Sequence, residues 1–96
     1  MKGFFNIMDN SPNKSNNFTT VQNARLDAIG ELEAIVQYET HLSQTNDENA
    51  RKTIADIVRE EKLHVGQLFG LIFMLDPESK TQFYKGLEEF NETKNN

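Results

Sequence analysis

Apolar residues through the middle of the chain recur at alternating steps of three and four, the spacing that gathers them on one face of an α-helix. Ala24, Ala28, Glu31, Ile35, Tyr38 and Leu42 form one such series, and Ile54, Ile57, Glu61, His64, Leu68, Leu71 and Leu75 form a second. A third, shorter series holds Phe83, Leu87 and Phe90. No segment alternates with the period of a strand and none repeats, so the pattern predicts an all-α chain.

Local signals set the expected boundaries. Thr19 or Thr20 can cap the free amides of a first helix running to about Ser43, with Gly30 as its weak position. In the link S-Q-T-N-D-E, Thr45 stands three residues before Glu48, the spacing of a capping box, so a second helix is expected from near Asn46 to near Leu75. Asp76 and Pro77 end that helix and start a short third one, from about Pro77 to Phe90. So short a link requires the two long helices to lie antiparallel as a hairpin.

The Asn- and Ser-rich residues 1–20 read as a flexible N-terminal arm, 21–90 as the helical domain and 91–96 as a polar tail. Within the arm, Phe4, Phe5, Ile7 and Met8 form an apolar cluster suited to docking on a partner.

Composition narrows the function. With 10 Lys+Arg against 15 Asp+Glu, a net charge of −5, the chain lacks the clustered cations of a nucleic-acid binder. With no cysteine there is no disulfide, thiolate zinc site, iron–sulfur cluster or cysteine nucleophile. No run approaches the roughly 20 apolar residues of a membrane span, and the opening MKGFFNIMDN is too short for a secretory core. A cytoplasmic location is the resulting expectation.

The candidate chemistry lies in the two seams. Glu61 and His64 sit at i and i+3 among Ile and Leu, and Glu31 sits among Ala and Ile. A carboxylate so placed without a partner would cost several kcal/mol or be driven to protonate. Neither seam contains Lys or Arg, which leaves a bound cation as the partner. Carboxylate oxygens with one imidazole suit iron, manganese or zinc.

One chain offers Glu31 from one helix and the E-x-x-H pair Glu61 and His64 from the other. Di-iron carboxylate bundles use a Glu from each of two helices and an E-x-x-H from each of two more, so this is half a site. Two hairpins about a two-fold axis would complete it as a four-helix bundle, four carboxylates balancing two divalent ions. Zinc would satisfy the same charges without turnover. A non-catalytic helical interaction module, and a structural metal-bridged dimer, remain alternatives at this point.

The segments G-E-L-E-A-I-V-Q-Y-E at 30–39 and R-E-E-K-L-H-V at 59–65 resemble those of the encapsulated ferritins, two-helix relatives of ferritin, and the resemblance extends over about Ala24 to Phe90. It implies ferroxidase activity, Fe(II) to Fe(III), at a di-iron site between two subunits. By position Glu31, Glu61 and His64 would be the iron ligands, with Tyr38 beside or on the metal. It also implies a homodimer assembling into a ring, typically a decamer, that works in iron storage as cargo inside an encapsulin nanocompartment. Gly30 stands where family members often carry a further Glu, which leaves Glu33 alone for an outer metal site. The C-terminal E-E-F-N-E-T-K-N-N differs from the family's usual apolar shell-docking peptide.

Overall fold

A computed structural model describes residues 12–95. Three helices follow one another: α1 (Pro12–Gln44), α2 (Glu48–Leu75) and α3 (Pro77–Asn95). No strand occurs among the described residues. Residues 1–11, with the Phe4, Phe5, Ile7 and Met8 cluster, lie outside them.

The helices depart from their expected bounds at three ends. α1 begins at Pro12, not after Thr19 or Thr20, so residues 12–20 of the expected arm are helical. Proline suits a helical start because its fixed φ and missing N–H cost nothing in the first turn. α2 begins at Glu48 with Asp47 as its cap: the Asp47 carboxylate accepts from the Ala50 amide at 2.8 Å. Thr45 is instead part of the turn, its hydroxyl accepting from the Asp47 amide at 3.2 Å. The expected Thr45–Glu48 box is therefore replaced by a cap two residues later, with Asp47, a stronger capping residue than Thr, taking the Ala50 amide. α3 continues past Phe90 to Asn95, ending with Lys94 in its last turn, where a cation meets the negative end of the helix.

A three-residue link over 45–47 turns α2 back along α1. Arg51 closes the turn by donating to the carbonyls of Leu42, at 2.6 Å, and Thr45, at 3.0 Å, satisfying acceptors that the end of α1 leaves open.

Val21, Ala24 and Ala28 of α1 and Val58 and Ile72 of α2 are the buried core, each at most 6% exposed. Val58 and Ile72 stand one residue beyond Ile57 and Leu71 of the second seam. Two stripes therefore adjoin on α2. One, through Val58 and Ile72, is buried within the chain; the other, through Ile57, His64 and Leu71, is half-buried at the edge of the hairpin. Two helices touch along a single line, which is why no large side chain is fully enclosed among the described residues and why Leu26, Ile29, Leu32, Val36 and Leu63 remain exposed.

At the far end α3 leaves the hairpin. Phe83 lies between Phe69 and Phe73, with ring centroids 5.5 and 5.1 Å away, and Tyr84 meets Phe73 at 6.0 Å. Gly66 and Gly70, whose spacing would permit a close helix approach, have nothing within 4 Å of where a Cβ would stand.

Candidate metal centre

Antiparallel pairing brings the middle of α1 against the middle of α2, and Glu31, Glu61 and His64 meet there. One ligand atom from each of the three lies within 4.8 Å of the others. His64 Nδ1 is 3.5 Å from Glu31 Oε2 and 3.8 Å from Glu61 Oε1. Donors bound to one ion at about 2.1 Å stand roughly 3.0 to 3.4 Å apart, so the two His64 contacts lie only about 0.1 to 0.4 Å beyond that range.

The electrostatics are unbalanced. Glu31 Oε2 is buried and has no hydrogen-bond partner among the described residues. Arg25 pairs with Asp76, Arg59 with Asp56 and Lys62 with Glu39, so no Lys or Arg reaches Glu31 or Glu61 among the described residues. The pKa of Glu61 is raised above its ordinary 4.5, first by a hydrogen bond shared with the Glu31 side chain, then by burial and by the Glu31 charge, with His64 acting in the opposite direction. Two carboxyl groups facing each other without a cation favour keeping a proton between them. A divalent ion would remove that cause and satisfy the orphaned oxygen, so the donor set fits iron, manganese or zinc.

The cluster opens onto a groove of about 570 Å³. Leu26, Leu68 and Leu71 supply its apolar wall, while Asp27 and Gln67 stand beside the ligands. Sequence reasoning passed over Asp27 and Gln67, although each lies on a ligand's helical face, four residues before Glu31 and three after His64. Gly30 also lines the groove and leaves that part of the wall bare, with nothing within 4 Å of a Cβ position there.

The other named residues lie apart. Tyr38 is half-buried two turns beyond Glu31, about 10 Å along the helix axis, and its ring meets His41 edge-on with centroids 6.3 Å apart. It does not line the groove. Glu33 is exposed, and being two residues from Glu31 it points to another side of the helix. His41 and Glu39 are exposed, Glu39 pairing with Lys62 at 3.4 Å.

No protein-family model matches the chain. A ferritin-like–encapsulin shell fusion protein of Pyrococcus furiosus is 47% identical over 68 residues, which is 71% of this chain and 20% of that protein. The encapsulin nanocompartment cargo protein EncC of Myxococcus xanthus is 29% identical over 79 residues, or 82% of this chain and 61% of that one. The chain thus spans less than two thirds of either curated relative. Among solved structures, the crystal structure of the encapsulated ferritin domain from Pyrococcus furiosus superimposes with a TM-score of 0.76 at 42% identity, covering 79% of this chain and 78% of that one.

Proposed function

The chain belongs to the encapsulated ferritin family, and from that premise and the geometry of the cluster we propose that it is a ferroxidase whose di-iron site forms between two subunits. The observation that carries this reading is the buried Glu31 Oε2, left without a hydrogen bond beside Glu61 and His64 at the edge of an open groove. Three ligands and two negative charges per chain provide for one divalent ion, and a second hairpin across the groove supplies an equal set for its neighbour. The half-buried stripe of Ile57, Leu68 and Leu71, with exposed Leu26 beside it, is the surface that second hairpin covers.

Iron is then the substrate. Glu31 and Glu61 would hold the two ions together, and His64 of each chain would supply a ring nitrogen. Without a cation the Glu31 side chain holds the Glu61 carboxyl above its ordinary pKa, so metal binding there is coupled to pH. Each Fe(II) gives up one electron; dioxygen takes the pair with two protons and leaves as peroxide, and peroxide itself is a second candidate oxidant. The neighbouring leucines keep bulk water from the ligands and strengthen the electrostatics of the site. Tyr38, two turns along the helix from Glu31, is left outside the ligand set of its own chain, and Glu33 is given an accessory role outside the cluster. Manganese and zinc are substitutes that the same donors would accept without the turnover.

The assembly follows from the divided site: a homodimer first, then a ring, with ten copies as the family-based expectation. The relatives are named as an encapsulin shell fusion and an encapsulin cargo protein. On that basis the protein is assigned as cargo of an encapsulin nanocompartment, where oxidised iron is stored. Residues 21–90 carry the ferritin-like unit, and the segments on either side serve assembly or docking.

The test is oxidation of Fe(II), added anaerobically and then exposed to air, followed by the near-ultraviolet absorbance of Fe(III). A rapid phase saturating at one iron per chain is expected, and His64→Ala should lose it with helicity unchanged. An unaltered rate in His64→Ala, or no rapid phase in the native protein, contradicts the proposal.

A further inference from the structure

Helix α3 is attached to the hairpin near one end. Its rings Phe83 and Tyr84 rest on Phe69 and Phe73, and every residue from Lys80 to Lys94 is exposed by more than a third of its surface. The joint is one residue long: Asp76, with φ −135° and ψ 85°, lies outside both helices. Its amide donates to the Ile72 carbonyl at 2.8 Å, which closes α2, and its carbonyl accepts from the Ser79 amide at 3.0 Å, which opens α3. Pro77 between them has no amide to carry the helical ladder across.

So short a joint leaves its angle to contacts outside it, which are the Phe83 and Tyr84 rings on α2 and a reach from α1. No Cα of α1 comes within 8 Å of one in α3 among the described residues. The side chain of Arg25 on α1 nevertheless spans that gap. Arg25 donates from Nη2 to Asp76 Oδ2 at 2.6 Å and to Ser79 Oγ at 3.0 Å, while Nη1 is fixed by Gln22 Oε1 at 2.5 Å. Ser79 Oγ in turn donates to Asp76 Oδ2 at 2.7 Å. One guanidinium thus binds the joint residue and the first turn of α3 together, and its planar fork fixes both directions at once.

We propose that Arg25, Asp76 and Ser79 form a clamp that sets the angle at which α3 leaves the hairpin, and that α3 swings as a rigid arm when the clamp is opened. A helix of 19 residues is about 28 Å long, so a rotation of about 20° at Asp76 carries its far end roughly 10 Å. The arm bears Tyr84, Leu87 and Phe90, with 52%, 44% and 62% exposure, so its angle decides where that apolar face is presented. The clamp shares no residue with the Glu31, Glu61 and His64 cluster and does not rest on the proposed ferroxidase activity.

The chain has no cysteine, so two introduced ones are labelled uniquely. Spin labels at Gln37→Cys on α1 and Glu92→Cys near the end of α3, in assembled protein diluted with unlabelled chains, report the arm by pulsed electron resonance. The native background should give one narrow distance. Arg25→Ala should broaden it and shift its mean by several ångströms, with helicity and zinc uptake unchanged. Asp76→Asn keeps a side-chain oxygen for capping while removing the charge that holds Arg25, and it should broaden the distance in the same direction. It also serves if Arg25→Ala fails to fold. A native-like narrow distance in Asp76→Asn, or a distance already broad in the native background, overturns the clamp.

Discussion

Replacing Glu31 by Gln should move stability and metal affinity in opposite directions. In the metal-free chain Glu31 Oε2 is buried without a hydrogen bond, a situation that costs about 1–3 kcal/mol per group. The Glu31 side chain is 25% exposed, which argues for the lower end of that range. A Gln amide at this position can donate to Glu61 without a proton having to be held between two carboxyl groups. The metal-free variant should therefore gain about 1 kcal/mol, a rise in Tm of roughly 4–8 °C for a domain of this size.

With metal the balance reverses. Removing one of two carboxylates from the set leaves a divalent ion with an uncompensated charge, and the loss should exceed the 10- to 100-fold that follows even from changing a residue behind a metal ligand. An affinity drop of at least about 100-fold for zinc corresponds to about 2.7 kcal/mol. Thermal melts in excess chelator measure the first effect, and calorimetric titration with zinc the second. A Tm that falls in chelator, or a zinc affinity that stays the same, would refute the reasoning.

Three other predictions concern the surfaces and joints around the site. Leu26 is 42% exposed and lines the groove, so Leu26→Arg should leave the helicity of the chain intact yet block a second hairpin; light scattering should report a smaller assembly, and rapid oxidation should be lost. The carboxyl of Asp76 is held below its ordinary pKa of 3.8, first by Ser79 and then by Arg25. Its contribution is therefore complete above pH 3.8 and disappears as pH falls through the lower folded value, so Asp76→Asn should flatten the acid limb of a Tm-versus-pH curve. Ile72 is 3% exposed at the centre of the small core, and Ile72→Ala should cost about 2–5 kcal/mol by chemical denaturation in chelator.

Much of this arrangement is legible in the sequence because two kinds of signal are local and periodic. The three-four spacing places Glu31, Glu61 and His64 on facing helix stripes, and the short link dictates the antiparallel pairing that brings them together. Signals that compete within one stretch are harder to resolve. Thr45, Asn46 and Asp47 can all cap, and the choice of Asp47 depends on where the turn delivers the chain. Likewise the Asn-rich composition before Thr19 hides the helical start at Pro12.

The distinction between the two stripes of α2 is of another kind. Steps of three and four fit Ile57, His64 and Leu71 as well as Val58 and Ile72, and only packing against α1 selects the latter as the buried line. That selection leaves the half-buried stripe facing the groove. Arg25 and Arg51 gave no signal at all, since a long polar side chain on a helix reads as solvated. Arg25 finds its partner Asp76 51 residues away, which no local pattern encodes. Tyr38 shares the helix face of Glu31, but its distance along the axis is invisible to a wheel and keeps it off the groove.

The central claim is that each subunit brings half of a cage for two metal ions. Its most direct measurement is an anomalous difference map at the iron absorption edge, from crystals loaded with Fe(II) without oxygen. Two peaks about 3.5–4 Å apart are predicted, as in other two-metal sites, flanked by Glu31, Glu61 and His64 of two chains. Peaks held by one chain alone, or none near these residues, would contradict it.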